Sequence, residues 1–320
     1  MGAPSVVATR TPVDRAPRGA FQVVLISPDG YVHAGAFAEL AETVSFGLQS
    51  LGFESGVAVN RLIAPGPPAV MFGANLLTPE EADSVPATTI IYNLEQAGSS
   101  NTWFSPSYRS LLARCPVWDY SRRNIAALAR SGMAQPATYV PVGYMPQLTR
   151  IPAAAEQDID VLFYGSVNDR RAAVIQQLKD MGLNAQAIFG AYGAARDSFI
   201  ARAKVVLNLH YYETSIFELV RVSYLLANRK AVVAERHAGT EVDADVASAL
   251  KLAPYEQLAA TCAEVVADAE QRRALETGGF ECMVARDETA ILAGALGLSP
   301  CSQGTAAVDG GPASHHATTD

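Results

Sequence analysis

Cysteine and histidine are scarce in this chain, and neither is clustered. Its 320 residues include four cysteines and five histidines, with no C-x-x-C pair and no His–Cys spacing typical of zinc ligands. Four scattered cysteines do not form a disulfide framework, so we expect reduced thiols and a cytoplasmic protein. Only His33, His210 and His237 precede the polar C-terminal tail. The sequence therefore predicts no metal site.

Basic residues and long apolar runs are also few. Lys and Arg number 24 against 32 Asp and Glu, which gives a formal net charge of −8. This balance argues against general nucleic-acid binding, because such binding depends on neutralising phosphates. No apolar run approaches the roughly 20 residues of a membrane span, so we expect no integral membrane segment. The sequence does not indicate an oligomeric state.

Several nucleotide-binding and catalytic motifs are absent. The chain contains no G-x-G-x-x-G after its first apolar strand, no G-x-x-x-x-G-K-[ST], no H-E-x-x-H and no G-x-S-x-G. These absences exclude the ordinary dinucleotide fingerprint, the P-loop, the zincin site and the nucleophile elbow of serine hydrolases.

Strand and helix patterns alternate along the body of the chain, which is 49% hydrophobic overall. Short continuous apolar runs such as Phe21–Ser27 and Ile159–Tyr164 are separated by helix patterns such as Asp169–Met181. Continuous apolar strands between helices indicate parallel sheets that are covered on both faces. The sequence therefore predicts an α/β protein with two tandem Rossmann-like, doubly wound domains and a cleft between them.

Composition sets the predicted limits of the domains. A disordered lead (1–20) and a disordered tail (302–320) are rich in small and polar residues and lack any hydrophobic period. The domains are predicted over 21–142 and 158–298, and a proline-containing linker over 143–157 joins them.

The segment His210–Glu235 carries the clearest functional signal. A polar loop with Glu213, Thr214 and Ser215 precedes a predicted helix, Ser215–Asn228, which is apolar nearly all round and therefore predicted to be buried. Glu218 and Arg221 lie inside this helix. Two interpretations stay open. In the first, Glu218 and Arg221 pair with each other at i,i+3. In the second, the capped first turn of the helix presents N–H groups and a positive dipole end to a diphosphate.

Other candidates follow the ends of predicted strands. Gly165, Ser166 and Gly190 come directly after strands, where glycine permits close approach of a ligand or simply forms a turn. Arg170 begins the next helix, where a cation is unfavourable unless it serves a ligand such as phosphate. His210 ends an apolar strand and is either a site residue or a core histidine.

Two residues of the first half are candidates for a catalytic base. His33 lies between the first strand and the first helix, at the position that faces the cleft, and imidazole accepts protons near neutral pH. Glu95 follows the strand Thr88–Asn93 and is the alternative. The competing interpretations are a locally bonded histidine and a solvated carboxylate.

Three tracts carry a resemblance to a known family: DVLFYGSVNDRR (Asp160–Arg171), AKVVLNLH (Ala203–His210) and RVSYLLANRKAVVAE (Arg221–Glu235). Together they resemble the donor-site region of GT-B-fold glycosyltransferases, in particular family 4-like enzymes and the spore-maturation glycosyltransferase-like group. Gly30–Leu40 and Ile90–Gln96 resemble tracts of bacterial glycosyltransferase-like proteins. The chain departs from the pattern at Tyr224, which stands where the family carries a ribose-binding Glu.

The resemblance implies a metal-independent glycosyltransferase with a nucleotide sugar as co-substrate and no cofactor. The second domain would bind the donor, and the first would bind a glycan, lipid-linked glycan or small-molecule acceptor. The implied donor-binding residues are Gly165, Ser166, Arg170, Gly190, His210, Glu213, Thr214, Ser215, Glu218 and Arg221. A nucleotide-sugar epimerase and a degenerate, non-catalytic binding protein are the alternatives; the Tyr224 departure favours the latter.

Overall fold

The computed structural model describes residues 18–97, 103–130, 136–212 and 216–298. Most of the predicted disordered lead and all of the predicted tail 302–320 lie outside these ranges. Within them the chain forms two parallel sheets with helices packed around them, and this confirms the predicted α/β class with two Rossmann-like units.

The first sheet has six strands in the order β2-β1-β3-β4-β5-β6. The order reverses between β1 and β3, which pair in register from Gln22–Ala69 to Leu25–Phe72. The strands are β1 (Gln22–Leu25), β2 (Val57–Val59), β3 (Ala69–Phe72), β4 (Ile90–Asn93), β5 (Val117–Asp119) and β6 (Thr138–Tyr139). The helices are α1 (Ala38–Ser50), α2 (Pro79–Ser84), α3 (Pro106–Arg114) and α4 (Arg122–Arg130).

The second sheet has five strands in the order β11-β10-β9-β7-β8. The chain changes direction between β7 and β9, and ligands of doubly wound sheets bind beyond the carboxyl ends at such a switch point. The strands are β7 (Ile159–Tyr164), β8 (Ala185–Ile188), β9 (Ala203–Asn208), β10 (Ala231–Glu235) and β11 (Lys251–Ala253). The helices are α5 (Asp169–Asp180), α6 (Gly193–Arg202), α7 (Leu219–Ala227), α8 (Ala244–Ser248), α9 (Leu258–Ala267), α10 (Ala269–Ala285) and α11 (Glu288–Ala295).

Local chemistry explains where several helices begin. The side chain of Ser105 accepts a hydrogen bond from the amide of Tyr108, and Pro106 occupies the first turn of α3, where its missing N–H costs nothing. Asn168 caps α5 in the same way, by accepting from the amide of Arg171. The cap of α5 places the first turn of this helix directly after the carboxyl end of β7.

The last helix, α11, joins the first domain. Leu292 packs so closely on α1 that a Cβ added to Gly47 would lie 2.6 Å from the Leu292 Cδ1. The Oε2 of the Glu288 carboxyl group accepts a 2.9 Å hydrogen bond from the amide of Gly143 in the linker. Helix α11 thus belongs to the contact between the two halves, and the domain limits set from composition stay a prediction.

Candidate functional site

A cavity of about 220 Å³ lies between the two sheets, at the carboxyl ends of their strands. Its first-domain wall comes from the start of α1 and the ends of β4 and β5. Its second-domain wall comes from the ends of β7 and β8, from α6 and from the first half of α7. The residues that line it are Ala36, Phe37, Glu39, Leu94, Tyr120, Tyr164, Gly165, Ile188, Gly190, Ala191, Tyr192, Arg196, Glu218, Val220, Arg221 and Tyr224.

Two of the predicted glycines lie in this wall. Gly165 has φ +135° and Gly190 has φ +71°, conformations that favour glycine over residues with a Cβ. At Gly165 an added Cβ would also lie 3.3 Å from an Nη of Arg221. These glycines therefore keep the backbone open to the cavity at the ends of two adjacent strands.

The two cavity arginines differ in how firmly they are bound. Arg196 is buried and forms ion pairs of 2.7 Å with Glu39 and 2.8 Å with Asp197. Arg221 instead makes two long polar contacts, both of 3.4 Å, to Glu218 and Asn208, and its guanidinium lies 5.0 Å from the ring centroid of Tyr164. Because long, partly solvated contacts are weak, Arg221 can turn towards an anionic ligand at lower cost than Arg196.

The two arginines of α5 support the site from behind and do not line the cavity. Arg170 forms a bidentate ion pair with Glu235 and stacks 3.9 Å from the ring centroid of Tyr255. Arg171 donates to the carbonyls of Ser166, Leu209 and His210, and burial lowers its pKa to about 10. The candidate residue Arg170 is thus paired with Glu235, and Arg171 links the loops that follow β7 and β9 by hydrogen bonds to their carbonyls.

The helix of the signal segment begins later than the sequence predicts. Helix α7 starts at Leu219, with Glu218 at its N-cap, so the predicted start at Ser215 is wrong. The segment just before this helix, Ile216–Glu218, has no regular secondary structure. Glu213, Thr214 and Ser215 lie outside the described residues.

The pairing of Glu218 with Arg221, one of the two interpretations from sequence, is present as a 3.4 Å contact. Glu218 also contacts Arg171 at 3.3 Å. Its carboxylate is therefore shared between two guanidinium groups at the edge of the cavity.

Ser166 is exposed and does not line the cavity.

His210 is completely buried and does not line the cavity. Neither of its ring nitrogens has a hydrogen-bond partner among the residues that the structure describes. Burial lowers the pKa of its imidazole. His210 thus lies buried in the segment that follows β9, in the setting of a core histidine.

The two candidate bases lie on the first-domain side. His33 accepts from, or donates to, the hydroxyl of Tyr192, with 2.8 Å between Nδ1 and Oη, and its ring packs 5.0 Å from that of Phe189. Both partners follow β8 in the second domain. Glu95 lies between β4 and β5, where its Oε1 accepts a 3.2 Å hydrogen bond from Asn75. His33 therefore faces the second domain.

Tyr224 occupies the place where the resemblance expects a ribose-binding carboxylate. Its hydroxyl donates to Asp197 at 2.7 Å and accepts from the Nε of Arg150 at 3.1 Å, and burial raises its pKa. The phenol thus links Asp197 of α6 to Arg150. No sequence signal marks the cavity residues Glu39, Tyr192 and Arg196, since each lies in an ordinary helix or loop pattern with no motif.

A second cavity of about 290 Å³ also lies between the domains, beyond Tyr120. It is lined by hydroxyl, carboxylate and guanidinium groups, together with the apolar residues Ile216 and Phe217 before α7 and Leu219 at its start. Its lining residues are Tyr120, Ser121, Arg122, Tyr139, Ile216, Phe217, Leu219, Thr240, Glu241, Val242 and Asp243.

In 18–97, 103–130, 136–212 and 216–298, no three His, Cys, Asp or Glu side chains are grouped so as to hold a metal ion. In the same ranges no helix has the length and hydropathy needed to cross a bilayer.

No protein-family model matches the chain. Among curated proteins, the uncharacterised protein L138 of Acanthamoeba polyphaga mimivirus is 28% identical over 127 residues, 38% of this chain and 14% of that protein. Protein L140 of the same virus is 25% identical over 160 residues, 48% of this chain and 51% of that protein. The chain spans about half or less of the length of these relatives.

Solved structures match over most of the chain. AviGT4, a glycosyltransferase involved in avilamycin A biosynthesis, superposes with a TM-score of 0.55 at 14% identity, over 87% of this chain and 96% of that chain. Sucrose-phosphate synthase from Thermosynechococcus elongatus gives 0.56 at 13%, over 86% and 97%. Anabaena HepE, in complex with UDP and glucose, gives 0.56 at 11%, over 86% and 99%. These likenesses confirm the architecture predicted from sequence: the chain has a GT-B glycosyltransferase-like fold.

Proposed function

We propose that this chain is a glycosyltransferase that binds a nucleotide-sugar donor in the cavity between its domains. The observation that carries the proposal is the wall formed by Gly165, Gly190 and Arg221 at the carboxyl ends of β7 and β8. It combines open backbone with a weakly held cation at the switch point of a doubly wound sheet. The crystal complexes of HepE with UDP and with UDP-glucose support a nucleotide-sugar ligand for this fold.

The diphosphate would lie at the start of α7. Val220 and Arg221 in the first turn line the cavity. The first-turn amides of a helix lack acceptors within the helix; that of Leu219 donates to the carbonyl of Phe217 just before α7, and those of Val220 and Arg221 would face the ligand. Those amides and the helix dipole favour an anion. The guanidinium of Arg221 would leave its 3.4 Å contact with Glu218 to pair with a phosphate oxygen.

The same groups would stabilise the leaving nucleoside diphosphate as the glycosidic bond forms. Preorganised amides and a guanidinium stabilise negative charge that develops in the transition state. We propose that this arrangement makes the transfer metal-independent. The acceptor, a glycan, lipid-linked glycan or small molecule, would approach from the first domain, where His33 would take the proton of its attacking hydroxyl.

A thermal-shift panel of UDP-, GDP-, dTDP- and CMP-sugars on the full chain tests donor binding. We expect one nucleotide family to raise the melting temperature in a concentration-dependent way, because a ligand that binds only the folded state stabilises it. No shift with any of the four would contradict the proposal.

Product analysis with the stabilising sugar nucleotide separates the alternatives. Free nucleoside diphosphate that accumulates faster when an acceptor is added indicates transfer. Conversion to an epimer with the nucleotide still attached would indicate an epimerase. Binding without any product would indicate a non-catalytic binding protein. That alternative is favoured by Tyr224, whose hydroxyl is hydrogen-bonded to Asp197 and Arg150.

A further inference from the structure

We propose that Tyr192 is a positioning residue that couples the donor cavity to His33, and that Gly35 exists at its position to admit the Tyr192 ring. This inference rests on the proposed glycosyltransferase function. Tyr192 belongs to the second domain and lines the donor cavity together with Gly190 and Ala191. Its hydroxyl lies 2.8 Å from the Nδ1 of His33, which belongs to the first domain.

The hydrogen bond determines which nitrogen of His33 can act. A neutral imidazole has one N–H and one bare nitrogen. His33 can take a proton at Nε2 only if Nδ1 carries the hydrogen and donates it to the Tyr192 oxygen. When Nε2 then becomes protonated, the bond from Nδ1 gains charge assistance and strengthens. The phenol oxygen thus acts as the orienting third group behind a base.

The fold fixes the phenol in this place. A Cβ added at Gly35 would lie 2.7 Å from the Cγ and 3.0 Å from the Cβ of Tyr192, atoms at the rigid base of the ring. A side chain at position 35 would therefore displace the ring from the first domain. Burial raises the pKa of Tyr192, so the phenol stays protonated near neutral pH.

Two aromatic rings pack against the imidazole. Tyr31 lies edge-on to His33, with 5.4 Å between centroids, and the ring centroid of Phe189 lies 5.0 Å from that of His33. Phe189 and Tyr192 are two ends of one short loop after β8, the loop that also lines the cavity. A ligand that moves this loop moves both of the contacts that His33 makes with the second domain, and this gives the coupling between donor and base.

Histidine side-chain nitrogen NMR of the ligand-free full chain tests the contact itself. The His33 signals are assigned by their loss in His33→Ala. We expect wild type to show the hydrogen on Nδ1 and Tyr192→Phe to shift the population towards hydrogen on Nε2. Tyr144→Phe is the matched control, because it removes a hydroxyl that bonds Thr149, away from His33. Unchanged His33 signals in Tyr192→Phe would overturn the proposal.

Kinetics then test the role, with release of UDP from UDP-glucose in water as the measured reaction. We expect Tyr192→Phe to lower kcat at least about tenfold, less than the roughly 10²–10⁴-fold loss of a base itself, with the donor KM within about twofold. Gly35→Ala should lower kcat similarly, and the double variant should be no worse than either, since both remove one contact.

The outcomes separate this inference from the function on which it rests. If the wild type turns over the donor and Tyr192→Phe has the same kcat, the positioning role of Tyr192 is wrong, but the proposed transferase function is unaffected. Additive losses in the double variant would overturn the part assigned to Gly35. No wild-type turnover with UDP-glucose or the other panel donors would overturn the proposed function and the catalytic role with it, whereas the NMR readout would still decide the contact.

Discussion

Arg196 of α6 and Glu39 of α1 form a buried ion pair across the cleft, with 2.7 Å between Nη2 and Oε1 and side-chain exposures of only 5% and 9%. Burial alone would lower the pKa of Arg196, but hydrogen bonding and the charge of Glu39 raise it. Arg196 therefore stays charged, and the pair joins the two domains at the cavity wall. It also occupies Arg196, so Arg221 is left as the cavity cation with the weaker contacts.

Loss of the Glu39 charge should destabilise the chain. Glu39→Gln keeps the shape but leaves Arg196 with Asp197 as its remaining partner, so we expect a loss of about 1–3 kcal/mol, below the cost of isolating a buried charge. Urea unfolding followed by fluorescence measures the change. Glu42→Gln is the control on the same helix, because the Glu42–Arg150 pair is about one-third exposed and should contribute under about 1 kcal/mol. Equal midpoints for the two variants would refute the cross-domain role of Glu39.

The base assignment predicts a selective kinetic defect. His33→Ala should lower the catalytic rate by at least about a hundredfold, because the hydroxyl of the acceptor would lose its proton acceptor. Donor affinity, measured by titration with UDP-glucose, should stay near that of wild type, since His33 does not line the donor cavity.

Glu95→Gln is the companion variant, and it should retain most of the activity. A hundredfold loss in Glu95→Gln alone would move the base to Glu95. Near-normal turnover in both variants would reject a protein base and favour a retaining mechanism, in which the donor's own phosphate can accept the proton.

Turnover should not depend on a divalent cation. We base this expectation on Arg221 and the start of α7, which can supply the charge that a metal would otherwise supply. The measurement is the rate of UDP release in EDTA, compared with the rate in added magnesium or manganese. A rate abolished by EDTA and restored by either metal would contradict it.

Glu288 should make stability depend on pH. Burial raises its pKa to about 8, above the ordinary value of 4.5. The unfolded chain releases this proton at lower pH than the folded chain, so the carboxyl lowers the free energy of unfolding as pH rises from 4.5 towards 8. Glu288→Gln keeps an acceptor for the Gly143 amide, so we expect it to be more stable than wild type at pH 9, by about 1 kcal/mol or more, and similar at pH 5. Parallel pH profiles for the two proteins would contradict this.

The sequence predicted elements well where one chemical pattern decides the structure. The largely apolar run Ile159–Tyr164 matches β7 to the residue, because a strand covered on both faces leaves a nearly continuous hydrophobic signal. The start of α7 was missed, because Ile216 and Phe217 are as apolar as the helix that follows. Burial there comes from tertiary contacts, and hydrophobicity does not distinguish an irregular buried segment from a helical turn.

Of the residues that line the cavity, the sequence indicated Gly165, Gly190, Glu218 and Arg221, but not the ion pair of Glu39 and Arg196. Gly165 and Gly190 were found because a glycine after a strand has a local meaning. The partners of Arg170 and Arg196 lie 65 and 157 residues away along the chain, at Glu235 and Glu39. No local pattern in a single sequence identifies such pairs, so the sequence could not show which arginine was already engaged.

The central claim, that the cavity wall at Arg221 binds the donor diphosphate, is tested most directly by calorimetric titration of the wild type, Arg221→Gln and Arg202→Gln with UDP and UDP-glucose. Arg202 is the matched control, since it pairs with Asp158 on the surface and does not line the cavity. We predict that Arg221→Gln weakens binding about tenfold or more, as expected for loss of a charge-assisted hydrogen bond worth roughly 1.5–3 kcal/mol, while Arg202→Gln binds like the wild type. Wild-type affinity in a folded Arg221→Gln protein would contradict the claim.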